Sequence, residues 1–176
     1  MGMVISGADV VAHALLSDGT PVDIRPIEPA DAAELIRAHD LLSDETRRRR
    51  FFSPHPKLSE AEAAHFTTVD HVDREAFVVL YENRIIAVGR YDRVREDTAE
   101  VAFVVGDAWQ SHGIATLLLD CLAERALAAG ITRFDADTFG DNQAMLAVFR
   151  HWAPNRHVTI NSGVLHVEML IPHSEE

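Results

Sequence analysis

The sequence predicts one mixed α/β (α+β) domain, a central β-sheet with helices on both faces. Three observations predict it. Its 176 residues suit a single core. Runs rich in β-branched residues change place with runs of helical period. Their order is a strand pair, helices, a β meander, then β–α–β–α–β–β, which needs a sheet covered from two sides.

Each element has a local reason. "VVAHALLSDGTPVDIRPI" reads as two short strands turning at Asp18-Gly19. In "EPADAAELIRAHDLL", Pro29 suits a first helical turn, and Ala33, Leu35, Ile36 and Leu41 supply an apolar face. Ser43 caps the short basic segment "SDETRRRRFF", whose arginines read as a solvated face in preference to a contact for an anion or a protein. "LSEAEAAHF" carries a capping box, Ser59-x-x-Glu62. "AFVVLYENRIIAVGRYDR" is a hairpin about Glu82-Asn83, and "TAEVAFVV" adds a third strand. In "GIATLLLDCLAERALAAG", Ile114, Leu117, Leu118, Cys121 and Leu122 share a helical face, with Gly130 just past the end. "ITRFDADTF" is a strand, "DNQAMLAVFRHWAP" a helix stopped by Pro154, and "RHVTI" and "VLHVEMLI" pair about Asn161–Gly163.

Bulk properties exclude several functions. Acidic residues outnumber basic ones 28 to 16, a net charge of −12, which disfavours nucleic acid and suits an amine or a lysine-rich surface. No run is apolar for long enough to span a membrane, and the N-terminus lacks the basic region of a secretory signal. The single cysteine, Cys121, forbids an internal disulfide, so a reducing cytoplasm is the expected home. The ten histidines show no metal-ligand spacing, and no metal is expected. His71, among Asp70, Asp73 and Glu75, is a candidate for lining an acceptor site.

The junction "VAFVVGDAWQSHGIATLLL", residues 101–119, carries the chemistry. A strand feeds a helix whose first N–H groups are free and whose end is partly positive. Gly113 lets an oxygen approach the backbone, so the turn is suited to an anion, most often a phosphate. Neither a P-loop nor a G-x-G-x-x-G fingerprint is present. By itself the pattern fits a tight turn with one helpful glycine equally well.

"QSHGIA", residues 110–115, resembles the Q/R-x-x-G-x-G/A signature of the GNAT superfamily of N-acetyltransferases, with a strand before it and a long helix after. The likeness spans 20–171, leaving 1–19 as an extension with the first hairpin strand and 172–176 as a tail. It implies a mostly antiparallel mixed sheet and acetyl-CoA as co-substrate. "LSDETRRRRFFSPHPKLSEAEAAHFTTVDHVDREAFVVL", residues 42–80, is similar to bacterial protein lysine acetyltransferases that acetylate acyl-CoA synthetases. Members of that group are often fused to a cyclic-nucleotide-binding or other regulatory domain. A stand-alone member and a catalytic portion both remain open, as does the oligomeric state.

The resemblance implies that Phe103, Val104 and Val105 bond the pantetheine arm through their backbone. Gln110, Ser111, His112, Gly113, Ile114, Ala115 and Thr116 would wrap the pyrophosphate. Asn142 would touch the pantetheine, and Phe149 and His151 would border the CoA tail. A free lysine is almost wholly protonated at neutral pH, so transfer needs a general base. The resemblance gives that role to Glu100. Strand alternation puts Glu100, Ala102 and Val104 on one face, and an apolar surround would raise a carboxyl pKa there. A backbone N–H near Val104 is the expected oxyanion donor. Many relatives protonate the leaving thiolate with a tyrosine on the last long helix; here Phe149 lies on that helix. A protein lysine is the expected acceptor, with a small-molecule amine the alternative.

Overall fold

The computed structural model describes residues 12–173. The expected boundary ends at residues 1 and 176 lie outside them. Eight strands form one sheet: β1 (Ala12–Leu15), β2 (Pro21–Pro26), β3 (Arg74–Tyr81), β4 (Arg84–Arg95), β5 (Thr98–Val105), β6 (Arg133–Phe139), β7 (His157–Asn161) and β8 (Val164–Leu170). Their order is β1-β2-β3-β4-β5-β6-β8-β7. Among the described residues only the β5–β6 pair is parallel, so the sheet is mixed and mostly antiparallel as expected. The first hairpin strand pairs within this same sheet rather than standing apart from it.

Helices α1 (Ala32–Asp40), α2 (Asp44–Phe51) and α3 (Glu60–Thr67) belong to one face, and α4 (Ile114–Ala128) and α5 (Gln143–Trp152) to the other. Alternation along the strands separates two cores. Ala76, Val78 and Val88 pack with Leu35, Leu58 and Ala63 under α1 and α3. Phe77, Val79, Tyr91 and Phe103 pack with Leu118, Leu122 and Phe149 on the α4–α5 side. The middle of β3 is buried on both faces, which its unbroken apolar run requires.

Local signals fix most boundaries. The Ser59–Glu62 capping box forms, with Ser59 N–H donating to Glu62 at 2.8 Å and Glu62 N–H returning to Ser59 Oγ at 3.1 Å. Glu82 and Asn83 both take positive φ, the tight turn a right-twisted hairpin prefers. α1 ends at Asp40, so Leu41 leaves the expected apolar face and is 70% exposed. Cys121 is buried in the core, where desolvation pushes its thiol up to about 12. Gly89 lets α4 lie against β4, since a Cβ there would meet Phe103 Cδ1 at 3.0 Å and Leu118 Cβ at 3.1 Å.

Candidate active site

The site begins with a divergence of strands. β5 and β6 pair only over Thr98↔Arg133, Ala99↔Phe134 and Glu100↔Asp135. Beyond Glu100, β5 stays with β4 and β6 stays with β8. The two central strands part, and a cleft of about 520 Å³ opens between them.

Register decides which backbone groups face it. Gly106 N–H donates to Ile86 O at 2.8 Å. Opposed residues two positions back, Val104/Val88 and Ala102/Arg90, therefore exchange the ladder bonds with β4. The N–H and C=O groups of Phe103 and Val105 turn toward the cleft, while Val101 N–H closes the last pairing with β6. Val104 is thus not the main-chain donor expected of it; its N–H is committed to β4.

The loop after β5 is braced by side chains. Gln110 Nε2 donates to Val105 O and to Thr46 Oγ1, both at 3.2 Å. Asp107 accepts from Ser43 N–H at 2.9 Å, Ser43 Oγ at 2.6 Å and Thr46 Oγ1 at 2.8 Å, which ties the start of α2 to this loop. Gly113 is the N-cap of α4 at φ 86°, and an added Cβ would find no atom within 4 Å. Glycine is needed there for the left-handed backbone, and the space before the helix end is open. The first turn of α4 carries no acidic residue, so its free N–H groups face that space without a repelling charge.

Glu100 stands at the vertex of the divergence. Cross-strand register aligns it with Asp92 on one side and Asp135 on the other, and Asp135 with Glu168. Arg74 Nε binds Asp92 at 2.9 Å and Arg95 binds Asp135 at 3.1 Å. Among the described residues Glu100 has no basic partner within 4.0 Å. Burial raises its pKa above the usual carboxyl value, and the charges of Asp137 and Asp92 add to the rise. His166 Nδ1 pairs with Asp137 at 2.7 Å, and this bond raises the imidazole pKa. Asp135, His166 and Glu168 each bring a ligand-type atom within 4.8 Å of the others, a set their sequence spacing hid. Arg95 already supplies positive charge to it.

The cleft gathers Glu100, Phe103, Val104, Val105, Gln110, Ser111, Gly113, Ile114, Ala115, Thr116, Asn142 and Phe149 on one wall or another. Asn142 caps α5, its Oδ1 accepting from Met145 N–H at 3.3 Å. Phe149 is core, 2% exposed, with its ring 6.5 Å from that of Phe103. Two expected residues are elsewhere. The His112 side chain turns to Asp18 at 3.8 Å, and His151 is exposed on α5; neither lines the cleft. His71 pairs with the buried Glu75 at 2.7 Å and lines neither this cleft nor a second cavity beside it.

Sequence reasoning missed α2, which lends Thr46, Arg49, Arg50, Phe51 and Phe52 to the cleft. Its arginines are not a solvated face. Arg47 holds His39 O and Asp40 O, Arg48 lies 4.4 Å over the Phe139 ring, and Arg50 lies over Phe51 and Phe66. The signal was the Phe51-Phe52 pair that ends the run, since a solvated face has no use for it. No tyrosine lines the cleft: Tyr91 Oη donates to Val72 O in the core, and Tyr81 packs 4.7 Å from Trp109.

The fit to acetyl-CoA rests on this geometry. A free strand edge faces the cleft, and an open, uncharged helix N-terminus stands at its end. The first suits a chain of amides and the second a pyrophosphate.

Comparison with known proteins agrees. The model of the acetyltransferase (GNAT) family matches residues 37–152. Acetyltransferase Pat of Mycolicibacterium smegmatis is 34% identical over 126 residues, 69% of this chain and 38% of that protein. The chain therefore spans well under half the length of that curated relative. The crystal structure of the GNAT domain of S. lividans PAT superposes with a TM-score of 0.86 at 34% identity, covering 94% of this chain and 99% of that one. A cAMP-binding acyltransferase from Mycobacterium smegmatis gives 0.67 at 26% identity, covering 93% and 48%.

Proposed function

This chain belongs to the acetyltransferase (GNAT) family, and on that premise we propose that it transfers an acetyl group from acetyl-CoA to the Nε of a protein lysine. The observation that carries the proposal is the position of Glu100 at the vertex between β5 and β6, beside the free edge of β5. When bound in the cleft, the co-substrate supplies an acyl thioester, which a neutral amine can attack.

The chain's own residues do the rest. The edge of β5 offers the N–H and C=O groups of Phe103 and the N–H of Val105. The turn from Ser111 to Thr116 offers main-chain N–H groups to the pyrophosphate. Glu100, without a basic partner among the described residues, attracts the lysine cation, while Asp92 and Asp135 beside it in register are held by Arg74 and Arg95. Glu100 then takes the ammonium proton, leaving nitrogen its lone pair. A base with a raised carboxyl pKa holds that proton better than an ordinary glutamate. As the C–N bond forms the C–S bond breaks; the nitrogen sheds its second proton to water, the CoA thiolate takes one from water, and the proton held by Glu100 is the one finally released to solvent. No side chain is assigned as the acid.

The lysine reading is supported by the likeness to the two Pat proteins and by the 42–80 segment. An acyl-CoA synthetase is the first acceptor to try. The chain is incubated with radiolabelled acetyl-CoA and such a synthetase, and label is expected on a synthetase lysine. Glu100→Gln should bind CoA as before and lose about 10²- to 10⁴-fold in turnover. Unchanged turnover removes Glu100 from the mechanism. No label on protein, with thiol release on a panel of small amines, replaces the protein acceptor with a small one.

A further inference from the structure

On the α1–α3 side of β4 and β5 lies a second cavity of about 600 Å³, within the size range of small-molecule sites. Arg50, Phe51, Val104 and Trp109 line both it and the cleft. Its inner walls are apolar, with Leu35, Leu58, Phe66 and Val88 among them. Four arginines line the cavity, with Glu82 and Asp107 at its edge; Arg37 and Arg84 are paired with Glu34, which leaves the guanidinium groups of Arg50 and Arg90. Arg90 is only 6% exposed; its Nη2 donates to Phe66 O at 3.2 Å and its plane lies 4.6 Å from the Phe66 ring. Arg50 approaches the same ring at 5.8 Å and that of Phe51 at 4.8 Å.

Neither arginine has a carboxylate within 4.0 Å among the described residues. The contrast within α2 is sharp, for Arg47, Arg48 and Arg49 each have one. Asp92 acts on both charges from a distance and Glu100 on that of Arg50, but neither carboxylate reaches either guanidinium, and two cations placed together against apolar walls are costly. Burial lowers both pKa values, that of Arg90 to about 9 with the charge of Arg50 contributing. The arrangement asks for a negative group from outside the chain. Two planar forks suit a carboxylate, which accepts two parallel bonds from each. The cavity's other basic side chains are already engaged, Arg37 and Arg84 by Glu34 and His39 Nε2 by His55 O at 2.8 Å, which leaves a phosphate no further donors among them.

We propose that this second cavity binds an aliphatic monocarboxylate, its head between Arg50 and Arg90 and its chain against Leu35, Leu58, Phe66 and Val88. The site is separate from the thioester chemistry and does not depend on the acceptor. Its shared wall makes Arg50 and Phe51 the link between an occupant and the cleft.

The test uses the full chain, octanoate, octanamide, octylammonium and inorganic phosphate, with calorimetry as readout. Octanoate should bind saturably, at least about tenfold tighter than octanamide, as loss of a charged hydrogen-bonded head predicts. Octylammonium and phosphate should bind more weakly still. Saturating CoA should leave a complete octanoate site. Arg90→Met and Arg50→Met should each weaken octanoate at least about tenfold without weakening octanamide. Should either variant fail to fold, NMR contacts from the octanoate chain to Val88 and Leu58 in the unaltered protein decide the question. Equal affinity for octanoate and octanamide, displacement of octanoate by phosphate, complete displacement by CoA, or absence of those contacts would each overturn the proposal.

Discussion

Replacing Gly89 with alanine tests whether the core and the cleft are mechanically joined. The new Cβ would stand 3.0 Å and 3.2 Å from the Phe103 ring and 3.1 Å from Leu118 Cβ. The ring is held by Phe149 behind it, and a Cβ moves only with its helix. Relief therefore requires α4 to lift from β4. Overpacking of this kind costs about 1–3 kcal/mol. For a chain of this size that lowers Tm by about 2–12 °C. The same lift carries Gly113 and the first turn of α4 away from the edge of β5, so CoA affinity should fall with stability. Thermal unfolding and CoA titration on the same preparation give both numbers. An unchanged Tm would show that α4 does not rest on Gly89. A fallen Tm with unchanged CoA affinity would show that the cradle is positioned independently of the core.

Gly113→Ala should act differently: with no clash to relieve, it costs only the left-handed backbone, about 1–2 kcal/mol, and weakens CoA binding while kcat at saturation holds. The acid limb of turnover should lie above the ordinary glutamate range, because the base works only when ionised and burial holds the Glu100 pKa up. Asp92→Asn removes a nearby negative charge and should move that limb to lower pH, read from a rate–pH profile. Because the Glu100 pKa is higher folded than unfolded, the stability its protonated form contributes is present below the unfolded value and is lost as pH rises through the folded value. Glu100→Gln should accordingly raise Tm at neutral pH while lowering turnover, and an equal Tm would contradict the pKa direction. Asp31 has the opposite sign: burial alone would raise its pKa, but two bonds from Arg25, at 2.7 and 2.8 Å, and one from Glu28 N–H hold it below normal. Its stabilisation is present above the unfolded carboxyl range and lost as pH falls toward the folded value. Asp31→Asn should cost about 2–4 kcal/mol at pH 7 by denaturant titration and progressively less in acid.

What the sequence made legible was local. Ser43, Ser59 and Glu62 report helix starts through bonds made within four residues, and Glu82-Asn83 reports a turn through its own backbone. Gly113 was legible in the same way, as a local turn, whereas Glu100 took its role from the family resemblance and only its strand face from local alternation. The divergence after Glu100 was hidden because it depends on which strand β6 prefers, and β8 lies some thirty residues later in the chain. That register also decides that Val104 turns its N–H to β4. His151 came with the family resemblance, and α5 leaves it exposed and outside the lining of the cleft. The role of α2 was hidden by its charges: a guanidinium over a phenylalanine ring looks, in sequence, like one in water.

The parting of β5 from β6 bears also on the lifetime of the chain. It leaves an unpaired edge in the middle of a sheet, bounded by α2 and α5, where another protein's strand has no lateral approach. A ligand that bonds that edge acts as an extra strand and stabilises the native state by mass action, about 2.7 kcal/mol at a hundred times its Kd. The fraction of molecules open to proteolysis then falls about a hundredfold. Resistance to digestion becomes a gauge of how much of that ligand the surroundings contain.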